Sequence, residues 1–134
     1  MNHKPPVPKV GTDAYDPPYQ SSGEKKIGQL LDQYGLPFFY RQATIIYHHG
    51  KNEIWYPSFT LPQYAGAVVD YVQNSDKHGL EERIRIYRYN QVPAVVLGPP
   101  DLDKTDWQRE IYENLKKEII PPNYTLDHVL KKMN

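Results

Sequence analysis

The stretch that decides the fold is Ala65-Gly66-Ala67-Val68-Val69-Asp70-Tyr71-Val72. It is a nearly continuous run of small apolar residues, which is typical of a central strand covered on both faces. We therefore predict a strand in the middle of a sheet. Asp70 is the one carboxylate in this run, and a buried carboxylate is costly unless it is paired or binds a metal. Asp70 therefore either lines a site or forms an ion pair, and Arg83 in the following segment is a candidate partner.

A β-hairpin is predicted immediately before this strand. Two stretches rich in β-branched and aromatic residues, 38–47 and 53–61, flank a turn at residues 48–52. Pro57 cannot donate to a paired neighbour, so we expect the second arm to bend there, at an edge or a bulge.

Helices are predicted on both sides of these strands. Ser21 and Glu24 fit a capping box, and an apolar stripe follows until Gly35 and Pro37 end the helix; the stripe comprises Ile27, Leu30, Leu31 and Tyr34. Downstream, a second amphipathic helix must end before Pro93, and a short buried strand then runs to Leu97. Thr105 and Gln108 form a second capping box, which predicts that the last helix opens there and runs through Ile119.

This order predicts an α/β fold with a mixed central sheet flanked by helices: helix, hairpin, strand, helix, strand, helix. The last two strands should be parallel and joined by a right-handed crossover. A chain of 134 residues is one domain in size. We place the α/β domain at residues 21–120, a Pro-rich flexible arm at 1–20, and a tail with one short helix at 121–134. The arm is either a polyproline ligand for another protein or an unpacked tail.

Composition excludes several functional classes. Lys plus Arg and Asp plus Glu are both 16, so no net charge draws the chain to DNA or anionic lipid, and a DNA-binding surface would have to be a local patch. Cysteine is absent, which excludes disulfides, thiol catalysis and cysteine-ligated zinc. Neither a signal-peptide segment nor an apolar run near the roughly 20 residues of a membrane span occurs, so we expect a cytoplasmic protein without membrane contact. Phosphate-binding glycine motifs are missing, which argues against a nucleotide cofactor.

The histidines do not predict a metal site by their spacing. His48 and His49 lie in the predicted hairpin turn, and the other three are scattered along the chain. No pair has the helical spacing that is typical of zinc ligands. We therefore interpret His48 and His49 as exposed turn residues.

Three places in the chain carry a resemblance to a known family: Glu24, Tyr56-Pro57-Ser58-Phe59-Thr60-Leu61-Pro62 and Val68-Val69-Asp70-Tyr71-Val72. There the chain resembles the PD-(D/E)xK nuclease superfamily, which includes many restriction endonucleases. The resemblance spans about residues 21–120 and implies a restriction endonuclease-like fold. In that family a first-helix Glu, an Asp after proline and an acid two residues before a lysine converge on one or two Mg²⁺ ions. Those ions activate a water for phosphodiester hydrolysis.

Mapped onto this family, the catalytic motif is degraded. Glu24 matches the helix acid and Asp70 the strand acid, so these two would hold Mg²⁺ if it binds. Ser58 stands where the family has aspartate, and Val72 stands where it has lysine. Since side chains alternate along a strand, residues 70 and 72 share one face. The spacing of the family's acid and lysine is therefore kept, but the lysine itself is replaced by valine.

Other residues are candidates to compensate for the missing lysine. Lys77 and Arg83 are basic residues near the strand acid, although a solvated helix face explains both more simply. Gln42 is a further candidate to line the same pocket.

Three functions remain open at this stage. The first is a nuclease-like domain that has lost catalysis and serves as a nucleic-acid-binding or interaction module. The second is an active Mg²⁺-dependent DNA endonuclease with a variant site. The third is an unrelated α/β interaction domain. DNA, a protein partner or a homodimer are the candidate partners, the homodimer by resemblance only. A basic strip on one face of the domain would favour binding to nucleic acid, whereas mixed charge on that face would not. The basic residues that could form such a strip are Lys25, Lys26, Arg83, Arg85 and Arg88.

Overall fold

A four-stranded mixed sheet organises the computed structural model, which describes residues 16–119 and 129–133. The elements in chain order are α1 (Ser22–Gln33), β1 (Phe39–Tyr40), β2 (Thr44–His48), β3 (Lys51–Trp55), β4 (Phe59–Leu61), β5 (Ala67–Tyr71), α2 (Lys77–Tyr89), β6 (Ala94–Leu97), α3 (Pro99–Leu102) and α4 (Trp107–Glu118). The sheet order is β1-β4-β5-β6, with antiparallel pairs except for parallel β5 and β6. The predicted α/β fold with a mixed sheet and an interior strand at β5 is confirmed.

The two faces of β5 are covered by different elements. Val69 belongs to the larger core cluster, which includes the buried side chains of α1 and α4. Its neighbour Val68 points the other way and packs with Ile46 of the hairpin and Tyr87 of α2. A side chain on β5 therefore lies either on the α1 and α4 face or on the α2 and hairpin face.

The first helix forms where its sequence predicts, with the Ser21 half of the capping box, while the Glu24 carboxylate binds side chains instead of the Ser21 N–H. Ser21 is the N-cap, and its hydroxyl accepts a hydrogen bond from the Glu24 N–H at 3.1 Å. The predicted apolar stripe is buried at Ile27, Leu30 and Leu31. Beyond the helix, Gly35 adopts a φ of +69°, which glycine reaches without strain.

The predicted hairpin is confirmed only at its centre. β2 and β3 pair as a separate two-stranded sheet around the turn residues His49 and Gly50, whose φ values of 54° and 76° suit a tight two-residue turn. The outer parts of the predicted arms are instead β1 and β4 of the main sheet. Both arms break, one where Arg41 adopts a φ of 52° and the other at Pro57, which cannot donate to a ladder.

The C-terminal helices differ in detail from the prediction. α2 and β6 are confirmed, but the predicted capping box at Thr105 is wrong, because α4 begins at Trp107 and its N-cap Asp106 makes no side-chain cap bond. The short helix α3 was not predicted. It starts on two prolines, which fit the first helical positions, and the Asp101 carboxylate accepts a hydrogen bond from the Gly98 N–H at 2.8 Å. None of the described helices has the length and apolarity that a membrane crossing requires.

Both ends of the described chain pack onto the domain. The Tyr19 ring lies edge-on to Tyr40 with centroids 5.1 Å apart, and the Gln20 N–H donates to the Tyr40 hydroxyl at 2.8 Å. Tyr19 and Gln20 of the predicted arm thus contact the domain, while residues 1–15 of the arm lie outside the described residues. Val129 and Leu130 are buried in the core in a helical turn, and residues 121–128 of the predicted tail also lie outside.

Candidate functional site

Asp70 is buried in β5, with 3% of its surface exposed, and both of its carboxylate oxygens accept hydrogen bonds. Oδ2 accepts from Arg83 Nε at 2.6 Å and from the Tyr87 hydroxyl at 2.7 Å. Oδ1 accepts from the Ser58 N–H at 3.2 Å. Of the two alternatives that the sequence left open for this carboxylate, the structure shows the ion pair with Arg83.

Arg83 and Tyr87 are held against Asp70 by their environment. The Arg83 guanidinium lies over the Trp55 ring, 4.3 Å from its centroid, in a cation–π contact. Burial lowers the pKa of Arg83, but Asp70 and Tyr87 together outweigh burial, and the pKa stands above its ordinary value. Burial first and Asp70 second raise the pKa of Tyr87, so its phenol stays protonated and remains a hydrogen-bond donor. The Arg83 guanidinium and the Tyr87 hydroxyl thus both bind Asp70 Oδ2, one as a counter-ion and one as a neutral donor.

Ser58, which the nuclease resemblance aligns with an aspartate, connects the start of β4 to β5. Its hydroxyl accepts from the Tyr71 N–H at 3.1 Å and lies 3.4 Å from the Tyr71 carbonyl oxygen. The same hydroxyl is 3.5 Å from Asp70 Oδ1. An aspartate here would place a second carboxylate beside Asp70, and like charges at this distance repel. Serine suits a site in which Asp70 is already paired with an arginine.

Glu24 is fully buried, at 0% exposure, in a separate network. Oε1 accepts from the Tyr40 hydroxyl at 2.8 Å, and Oε2 accepts from the Arg41 guanidinium at 2.8 Å. The Ser21 hydroxyl lies 3.4 Å from Oε1. Glu24 thus connects the start of α1 to β1, beyond the role in its own helix that the capping box implied.

Glu24 and Asp70 lie on opposite faces of the sheet. The Glu24 partner Tyr40 pairs with Phe59, and Phe59 pairs with Val69, all within the larger cluster. Asp70 follows Val69 and therefore points to the α2 face. Two carboxylates on opposite faces, each bound by an arginine and a tyrosine, do not fit one shared Mg²⁺, which needs oxygen ligands about 2.0–2.1 Å from the same ion.

The remaining predicted site residues are not brought to either carboxylate. Val72, which the nuclease resemblance aligns with a lysine, is half-buried, and its N–H donates to the Leu97 carbonyl at 2.8 Å. Lys77 is exposed at the first turn of α2, and Gln42 is exposed in the loop before β2. Of the three candidate compensating residues, Arg83 is the one that reaches Asp70, and it does so as a counter-ion.

The arginines of α2 do not form a free basic strip. Arg83 pairs with Asp70, Arg85 with Glu82, and Arg88 with Glu118 at 2.7 Å. The exposed residues Lys25 and Lys26 lie on α1, which packs on the other face of the sheet. Charge on the α2 surface is therefore mixed in sign.

Sequence reasoning missed an exposed apolar surface on the hairpin. Ile45 is 71% exposed and Ile54 is 62% exposed, and the two are direct cross-strand partners. Tyr47, Tyr56 and Tyr89 are exposed nearby, and the rings of Tyr47 and Tyr89 stack. A signal was present, because residues 45–47 (Ile-Ile-Tyr) are apolar or aromatic at consecutive positions, whereas a hairpin with one covered face needs apolar residues only at alternate ones.

His48, His49 and Glu53 are the one group of three metal-ligating residues that lie close together in the described ranges. His49 is exposed as predicted, whereas His48 is half-buried and its Nδ1 lies 3.2 Å from Glu53 Oε1. Hydrogen bonds from Trp55 first and His48 second hold the pKa of Glu53 below its ordinary value. Glu53 is therefore ionised at neutral pH.

No protein-family model, curated protein or solved structure matches this chain. We therefore infer the function from the two carboxylate networks and the exposed hairpin.

Proposed function

We propose that this chain is a nuclease-like α/β domain that does not hydrolyse phosphodiesters and acts as a protein-interaction module. The observation that carries the proposal is the state of Asp70, whose oxygens are bound by Arg83, Tyr87 and Ser58. An ion at this carboxylate would have to displace the arginine from it. The guanidinium already supplies the positive charge that a metal would bring.

The likeness to nucleases is supported by the position of Ser58 beside Asp70. These two positions correspond to the strand acids of the family, and here they are joined by a hydrogen bond. The parallel pairing of β5 and β6 across α2 is also the crossover expected from the element order. The proposed likeness extends to Ser58 and Asp70 but not to Glu24, which lies on the opposite face of the sheet.

A protein partner is favoured over nucleic acid by the charge distribution. Binding to DNA depends on Lys and Arg side chains that neutralise phosphates. The three arginines of α2 are each paired with an acidic residue instead. The hairpin, by contrast, exposes Ile45 and Ile54 side by side, and exposed contiguous apolar surface marks interaction sites.

The hairpin also has one closed edge and one open edge. On β2, the Tyr47 N–H donates to Asn90 Oδ1 at 2.7 Å, and the Tyr47 carbonyl accepts from Asn90 Nδ2 at 3.0 Å. On β3, the N–H and C=O groups of Asn52 and Ile54 point away from β2, and they have no hydrogen-bond partner within the described part of the chain. An open edge of this kind pairs with another strand.

The partner that fits this edge is a second copy of the same chain. If two β3 strands pair antiparallel about Ile54, the two Ile54 side chains become direct neighbours. The Ile45–Ile54 pair of each copy then extends into a row of four isoleucines across one face of a four-stranded sheet. Such a contact is isologous and closes as a two-fold dimer, the commonest symmetry of soluble oligomers.

Sedimentation equilibrium over a wide range of protein concentration tests this function. We expect reversible dimerisation that Ile54→Lys abolishes, because the lysine places two positive charges at the two-fold axis. The matched control is Gln29→Lys on the exposed side of α1, which adds the same charge and should dimerise like the unmodified protein. A monomer at all concentrations, or equal dimerisation of both variants, would overturn the assignment of this edge.

A further inference from the structure

Three metal-ligating side chains meet at the tip of the hairpin. His48 ends β2, His49 lies in the turn and Glu53 lies on β3. Each offers one ligand atom, and the three atoms lie within 4.8 Å of one another. The cluster is separate from both Asp70 and Glu24, so it belongs to neither acid network described above.

The backbone of the turn brings two consecutive histidines to the same place. Consecutive side chains of a strand point to opposite faces, which would separate the two rings. His49 instead has a φ of 54°, and its ring stacks on that of His48 with centroids 3.6 Å apart. A positive φ is uncommon for residues other than glycine, and Asn, Asp and His adopt it more often than most. The turn thus carries a bulky imidazole where a smaller residue is more easily accommodated.

We propose that His48, His49 and Glu53 bind a divalent transition-metal ion, with Zn²⁺ as the reference ligand. Two imidazoles and one carboxylate form a three-ligand set that zinc takes when its fourth position stays open. Around a tetrahedral ion with bonds of about 2.0–2.1 Å, neighbouring ligand atoms lie roughly 3.3–3.4 Å apart. His48 Nδ1 and Glu53 Oε1 are already 3.2 Å apart. Nitrogen ligands select such ions over Mg²⁺, which prefers oxygen.

A second layer of contacts orients the carboxylate. The Trp55 indole N–H donates to Glu53 Oε1 at 3.1 Å, and hydrogen bonds of this kind fix a ligand carboxylate and tune the metal. Trp55 is itself held between the Arg83 guanidinium and the edge of the Tyr87 ring, whose centroid is 5.3 Å from that of Trp55. The Trp55 indole ring therefore connects the tip to the core and lies next to the proposed ion.

The metal site stands independently of the proposed dimer. Glu53 and Ile54 are consecutive in β3, so their side chains point to opposite faces of the hairpin. Failure of the dimer would leave the ligand cluster unchanged, and failure to bind metal would leave the open edge of β3 unchanged.

The test is calorimetric titration of the untagged full-length protein with Zn²⁺ after treatment with a chelator. A second readout uses the Trp107→Phe variant, in which Trp55 is the remaining tryptophan of the two in the sequence. We expect one ion bound per chain and quenching of Trp55 fluorescence when Cu²⁺ is the probe. Mg²⁺ should produce neither effect.

Single-ligand variants locate the ion. We expect His48→Ala and His49→Ala each to weaken Zn²⁺ binding by at least the roughly 10–100-fold that loss of a second-layer partner typically costs. Glu53→Gln keeps an acceptor for Trp55 but removes the charge, and it should also weaken binding. His78→Ala is the matched control, because His78 is an exposed histidine on α2. This variant should bind Zn²⁺ as the unmodified protein does.

Two results would overturn the proposal. The first is absence of Zn²⁺ binding by the unmodified protein at micromolar concentrations, with its native circular dichroism intact. The second is tight binding that survives both His48→Ala and His49→Ala, which would place the ion on other residues of the chain. Variants that lose their native circular dichroism are replaced by His48→Gln and His49→Asn, which keep side chains of similar shape.

Discussion

Replacing Arg83 by methionine should destabilise the fold more than any other single loss of an α2 charge. The variant keeps an unbranched side chain for Trp55 to contact but leaves the Asp70 carboxylate without its counter-ion. Removing one partner of a fully buried ion pair costs about 3–5 kcal/mol. The Arg83 side chain is 30% exposed and that of Asp70 4%. Because water can replace part of the lost interaction, we expect a loss of about 2–3 kcal/mol.

Urea unfolding followed by circular dichroism measures this loss. With a denaturant slope of about 1–3 kcal/mol per molar, the midpoint should fall by roughly 1–2 M. Arg85→Met is the matched control, since it breaks an exposed pair with Glu82 on the same helix, and it should leave the urea midpoint almost unchanged. Combining Asp70→Asn with Arg83→Met should cost less than the sum of the single changes, because their partners are shared. Equal losses for Arg83→Met and Arg85→Met, or strict additivity, would refute the account of this network.

Three further outcomes follow from the same contacts. Tyr87→Phe removes a hydrogen bond to an ionised carboxylate and should lower the free energy of unfolding by about 1.5–3 kcal/mol in urea titrations. Gly23→Ala would place a Cβ 2.3 Å from the Tyr71 ring, so we expect a loss of about 1–3 kcal/mol, measured in the same way against the exposed-helix control Gln29→Ala. Burial raises the pKa of both Tyr87 and Tyr112 above 10.0, so the unfolded chain releases these protons first. The free energy of unfolding should therefore be at its full value below about pH 10 and should fall as the pH rises further. The fall should be less steep in Tyr87→Phe, and urea unfolding curves recorded on both sides of that pH measure it.

Much of the fold could be predicted because local signals and burial agree. The capping serine at Ser21 and the apolar stripe that follows fix α1, and the run at residues 65–72 fixes the interior strand. The hairpin was overextended because propensity alone does not reveal where a strand changes sheets. That change takes place at Arg41, which has a positive φ, and at Pro57. The short helix α3 was missed because Gly98-Pro99-Pro100 reads equally as a turn and as a helix start.

The candidate site was harder to predict than the fold. A lone acid in a buried strand implies a partner, and Arg83 was one of the candidates for that role. Which sheet face Glu24 would occupy depends on the pairing of β1 with β4, a contact between distant segments that periodicity does not encode. The pairing of His48 with Glu53 depends likewise on hairpin register, which is set by a two-residue turn rather than by the spacing of histidines.

We propose that this α/β domain does not hydrolyse phosphodiesters because the buried Asp70 carboxylate is paired with Arg83. The most direct test is incubation of supercoiled plasmid and single-stranded DNA with the purified protein in Mg²⁺ or Mn²⁺, alongside Asp70→Ala, Glu24→Ala and a chelator control. We predict that the protein and both variants leave the DNA equally intact. Metal-dependent nicking by the unmodified protein that Asp70→Ala and Glu24→Ala both abolish would contradict the account and establish a working variant site.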